Sequence, residues 1–125
     1  MAKLVKLSNL TPKVVKQIVL IYHDTVGGIL GRRYDGEFLL KEIKADLQNG
    51  NSSNWSFGSR LAMRSRFKVV QDYSSPNWSR EDPVIKFEFY ANTDRDDYSD
   101  KQAEELSKAF EGATDQYLVS LGLAL

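Results

Sequence analysis

The chain of 125 residues contains no cysteine. That absence removes thiol catalysis, Cys-based zinc sites and disulfides together, and it leaves the redox compartment open. Long hydrophobic runs are missing as well. Nothing approaches the ~20 apolar residues of a membrane-spanning helix; the most apolar early stretch, Val14 to Tyr22, is broken by Lys16 and Gln17. The first residues (Met1, Ala2, Lys3, Leu4, Val5) lack the long apolar region and small-residue cleavage site of a secretory signal. A cytoplasmic location is expected, in a cell or an infected host, with incorporation into a virion as a further option. There is no net charge: Lys and Arg number 17, and so do Asp and Glu.

What is present is ordinary for a globular domain: 42% hydrophobic and 27% charged residues. A chain of this length buries roughly two-thirds of its unfolded surface. One domain spanning 1–125 is expected, and disordered, collagen-like and disulfide-framework classes are excluded.

The zero balance hides a segregation. Residues 1–33 carry six basic side chains against Asp24 alone, and residues 58–80 carry five against Asp72. Residues 81–125 hold eleven acids against four bases. Three readings follow: basic and acidic segments pack together within one fold, a basic face binds nucleic acid or phosphate, or the basic face of one copy meets the acidic face of the next.

Thr11–Pro12 is a helix start, Thr as cap and Pro at the first helical position. Val14, Ile18, Tyr22 and Val26 then recur at helical spacing, widened by Val15, Val19 and Ile21, until Gly27–Gly28 ends the pattern. A second helix is expected from Asp35 to Gln48, with Leu39, Leu40, Ile43 and Leu47 as its apolar face and Asn49–Gly50 as its stop. Residues 49–58 read as a loop with unusual aromatics. Residues 59–71 alternate with period two: Leu61, Met63, Phe67 and Val69 on one face, Arg60, Arg64, Arg66 and Lys68 on the other. A polar turn leads to a second strand, Asp82 to Asn92, with Ile85, Phe87, Phe89 and Ala91 inward and Lys86, Glu88 and Tyr90 outward. Lys3 to Leu7 forms a further short strand. Ser99 and Gln102 make a capping box for a last helix whose expected inner face is Ala103, Leu106, Ala109, Phe110, Ala113, Tyr117 and Leu121, closed by Gly122. The expected fold is α+β: a small antiparallel sheet packed by about three helices, in the order (β)ααββα.

No catalytic constellation emerges. His23, the lone histidine, sits beside Asp24, but adjacent helix positions do not face each other, and no nucleophile elbow serves it. The run Gly27–Gly28–Ile29–Leu30–Gly31–Arg32–Arg33 follows a helix rather than a strand and matches no phosphate loop, so it reads as a helix–helix link. Arg32 and Arg33 remain candidates for contact with an anion or a partner carboxylate. The acids Asp94, Asp96, Asp97 and Asp100 lack the Gly and the closing Glu of a calcium loop, and they suit the N-terminus of the last helix. Lys86 precedes Glu88, the reverse of the Glu-x-Lys order of many nucleases. No enzyme activity, metal or cofactor is expected.

The leading expectation is a non-catalytic interaction or assembly subunit, paired with copies of itself or with another protein. It rests on large residues placed where a monomer gains little from them: Trp55, Phe57 and Trp78 in loops, and Leu123 and Leu125 in the tail. A component of a phage neck or tail ring is its concrete form. An inhibitor or immunity-type protein masking a partner with the acidic last helix is a second. The expectation from another class is a binder of single-stranded nucleic acid or phosphate through Arg60, Arg64, Arg66 and Lys68, or Arg32 and Arg33. No membrane partner is expected.

Overall fold

A capping aspartate, a capping box and two alternating apolar patterns survive into the three-dimensional structure as drawn from the chain. The computed structural model describes residues 3–26, 35–55, 65–91 and 98–125. It runs through strand β1 (Val5–Lys6), a 3-10 turn (Leu7–Asn9), helices α1 (Pro12–Val26) and α2 (Gly36–Gln48), strands β2 (Ser53–Trp55), β3 (Ser65–Gln71) and β4 (Val84–Ala91), and helix α3 (Asp100–Ser120). The strands form one antiparallel sheet in the order β1-β4-β3-β2. Residues of all three helices join the inward residues of the sheet in a single apolar cluster. The fold is α+β, with the expected order of elements.

The helix starts are made by side chains that accept orphan N–H groups. Thr11 Oγ1 accepts from the Val14 N–H at 3.2 Å. Asp35 accepts from Glu37 and Phe38 at 3.0 and 3.3 Å. Ser99 and Gln102 complete their reciprocal box at 2.9 and 3.1 Å. Gly122 follows α3 at φ 71°, the left-handed conformation that suits glycine.

Period two settles which side of the sheet is covered. Phe67, Val69, Ile85, Phe87 and Phe89 are buried beneath the helices. Tyr22 of α1 and Phe110 of α3 meet above them. The Tyr22 ring lies 5.6 Å from Phe67 and 5.9 Å from Phe89, and the Phe110 ring lies 6.1 Å from Phe89. The Tyr22 hydroxyl donates to the Ser65 carbonyl at 2.8 Å and also contacts the Ser65 hydroxyl at 2.8 Å. Two buried polar groups at the start of β3 are thereby satisfied by one side chain from α1.

Two expectations need correction. Residues 49–58 are not a plain loop, because Ser53–Trp55 pairs with Val69–Phe67 as β2. This strand is fixed by a relay that sequence spacing cannot display: the Trp55 indole donates to Ser53 Oγ at 2.8 Å, and Ser53 donates to Asp46 at 2.9 Å. β2 and β4 flank β3, which is therefore a central strand. On α3 the inner face is rotated. Phe110, Thr114 and Leu118 are its buried residues, Ala103, Leu106 and Tyr117 are partly buried, and Ala109, Ala113 and Leu121 are exposed. Counting apolar residues favoured the alanines. The i, i+4, i+8 seam through Phe110 runs instead through a threonine.

The first strand is anchored over long range. The Lys3 N–H donates to Asp115 at 2.8 Å, and the Leu125 N–H donates to the Leu4 carbonyl at 2.8 Å. Ser8 donates twice to Asp82, from its backbone at 2.9 Å and its hydroxyl at 2.8 Å. Burial pushes the Asp82 carboxyl up, but the two Ser8 donors and the Lys6 ammonium outweigh it and hold it below the ordinary aspartate value.

His23 is buried at 3% exposure, its ring edge-on to Tyr22 at 5.5 Å. Burial lowers its pKa below the ordinary 6.5, and neighbouring Asp24 opposes this only in part. The folded state therefore favours neutral imidazole. Its contribution to stability is complete above the unfolded value near 6.5 and is lost as pH falls through the lower folded value. Half-buried Glu111 works the other way, because desolvation raises its pKa and its ionised form is the costly one. Urea midpoints at pH 7.5 and 5.5 will show a fall that shrinks in His23→Gln. An equal fall in both proteins would exclude His23 as its source.

Candidate functional site: the open face of the sheet

Residues of even number on β3 and β4 point away from the helices. Register brings them together: Arg66 lies opposite Tyr90, Lys68 opposite Glu88, and Val70 opposite Lys86. Asn54 on β2 lies beside Lys68. β1 adds Lys6, opposite Val84. The strands themselves thus present four cations, Lys6, Arg66, Lys68 and Lys86, against one acid, Glu88.

Ion pairs neutralise part of this charge. Lys86 Nζ meets Glu88 Oε1 at 3.2 Å, and Lys6 Nζ stands 4.0 Å from the Asp82 carboxylate on the connection to β4. Arg66 and Lys68 make no ion pair with any described residue. Both are drawn to Tyr90 instead: the Arg66 guanidinium carbon lies 4.6 Å from the ring centroid and Lys68 Nζ 5.0 Å. Lys68 therefore ignores the carboxylate opposite it, which Lys86 has taken. Two like charges share one aromatic ring that is itself 39% exposed. Cation–π attraction at an exposed site contributes only about 0.5–1 kcal/mol per pair, so either cation can leave the ring for an anion.

A second feature lies at the turn between β3 and β4. Tyr73, 63% exposed, leans on Trp78 with ring centroids 5.2 Å apart. The Trp78 indole donates to Gln71 at 2.9 Å, and Gln71 donates to the Leu47 carbonyl at 2.8 Å. These residues and Arg80 line a groove of about 400 Å³.

Of the residues singled out from sequence, Arg66 and Lys68 stand together on the open face. Arg32, Arg33, Arg60, Arg64 and Phe57 lie outside the described residues. Trp55 and Leu123 are partly buried and pack against the core. Trp78 is half-buried in the turn, and Leu125 is 49% exposed. Tyr90 and Lys86 were placed outward by their alternation but not assigned a role. The missing information is register: only the pairing of β3 with β4 puts Tyr90 opposite Arg66.

Among the described residues no three His, Asp or Glu side chains are grouped to hold a metal ion, and no helix is long and apolar enough to cross a membrane. Comparison of this chain with protein-family models, with curated proteins and with solved structures yields no match.

Proposed function

We propose that this chain works by binding rather than catalysis, and that the open sheet face is its contact surface for a polyanionic partner. The observation that carries this reading is the pair Arg66 and Lys68, which contact Tyr90 and have no carboxylate partner among the described residues. The only histidine is enclosed in the core, away from any surface where it could exchange protons with a substrate. The face offers cations in adjacent rows, which suits an extended anion. A cytoplasmic setting belongs to this proposal.

Heparin provides the simplest test. The native chain is expected to bind it at 50 mM salt and to release it steeply as salt rises. Arg66→Ala combined with Lys68→Ala is expected to weaken binding at least tenfold, with thermal midpoint nearly unchanged because both side chains lie on the open face. Passage of the native chain through a heparin column at 50 mM salt would refute the reading.

A second reading, an assembly subunit of the phage neck or tail type or another protein-binding module, draws on one observation. Val119, Leu121 and Leu125 are all exposed near the end of α3. Light scattering distinguishes it: a defined oligomer reduced to monomer by Val119→Asp supports assembly, and a monomer in the native chain removes it for self-association.

A further inference from the structure

We infer that the polyanion is single-stranded nucleic acid, and that Tyr90 is a base-stacking platform whose two covering cations move onto the flanking phosphates when a base arrives. The inference rests on the polyanion reading above and deepens it.

The arrangement is an aromatic ring contacted by two cations from the neighbouring strand, with a third cation already committed elsewhere. Arg66 reaches Tyr90 directly across the ladder, and Lys68 reaches it on the diagonal. Arg66 and Lys68 are two positions apart on one strand, so their backbones are separated by about 6.6 Å. A ligand matching all three groups carries a flat ring and more than one negative charge close to it. A nucleotide inside a strand meets that description, with one phosphate before its base and one after. A sulfated polysaccharide or polyphosphate supplies the charges but nothing to stack. Duplex nucleic acid supplies the phosphates but keeps its bases stacked on each other inside the helix.

The covering cations give the exchange its logic. At rest two like charges crowd one half-exposed ring. A base takes the ring face, and Arg66 and Lys68 exchange the weak ring contact for charge-assisted hydrogen bonds to phosphate. Lys86 stays with Glu88, whose carboxylate would otherwise stand opposite Lys68 and repel the incoming strand.

Fluorescence anisotropy of the full chain with a labelled 12-mer of thymidylate tests this. Three competitors accompany it: a duplex of equal length, a 12-mer of abasic residues, and heparin. The thymidylate strand is expected to bind about tenfold or more tightly than the abasic strand, because the two differ only in bases. Tyr90→Ala is expected to abolish that difference, and Tyr90→Phe to keep it. Arg66→Ala is expected to lower the slope of log affinity against log salt by about 0.7, the value for one phosphate contact to a single strand. Equal affinity for the thymidylate and abasic strands, or a duplex that binds as well as the single strand, would overturn the inference while leaving the polyanion reading intact. Loss of the difference in Tyr90→Phe as well as Tyr90→Ala would overturn it too, since the ring remains in the former. Absence of binding to every one of these probes at 50 mM salt would overturn both readings.

Discussion

Replacement of Phe110 by alanine will cost about 3–5 kcal/mol of stability. Phe110 is fully enclosed, and its ring meets Tyr22, Phe67 and Phe89, so it joins α3 to α1 and to both central strands at one point. α3 buries only two other side chains completely enough to count as core, Thr114 and Leu118. The Thr114 hydroxyl has no hydrogen-bond partner among the described residues, which leaves Phe110 and Leu118 as the main attachments of a 21-residue helix. Domains of this size are stable by roughly 5–15 kcal/mol in total, so the loss is a large share. Urea denaturation should show a lower midpoint with little change of slope. A loss under about 1 kcal/mol would mean that α3 is held chiefly elsewhere.

Gly36→Ala is the second large effect, and its sign runs against helix propensity. Alanine ordinarily stabilises a helical position over glycine by about 0.5–1 kcal/mol. At Gly36, the first residue of α2, an added Cβ would collide with the Pro12 carbonyl oxygen and lie 2.8 Å from its carbon. Both partners are backbone, at the start of α1, and neither can rotate away. The starts of the two helices would have to separate, at a cost of about 1–3 kcal/mol or more. Gly112 supplies the control. It lies on the exposed side of α3, and an added Cβ there meets nothing within 4 Å, so Gly112→Ala should stabilise. If the two substitutions had the same sign, the close approach of α1 and α2 would be wrong.

Local grammar explains what could be read from the chain. Thr11–Pro12, Asp35 and the Ser99–Gln102 box act within one turn, and the alternation of Phe67, Val69, Ile85, Phe87 and Phe89 needs only its own strand. Those features are observed where they were expected. The misses all depended on distant partners. β2 exists because Asp46 and Val69 are positioned to receive it. Thr114 is buried because the seam of α3 is set by where Phe110 inserts, not by which residues are most apolar. The candidate site divides in the same way. Arg66 and Lys68 were legible as an outward cationic row, whereas the role of Tyr90 required knowing which residue stands opposite which.

The pairing of Val5 with Ile85 spans eighty positions of chain. A ribosome adding about 5–20 residues per second needs roughly 4–16 s between making one and the other. Between the making of Val26 and that of Ser65, the apolar stripe of α1 is already synthesised while the central strands beneath it are not. α2, which packs directly on α1, is the one large neighbour available during the wait. The two helices thus form a temporary shelter during translation, and sheet closure at β1 is a late event in the life of the nascent chain.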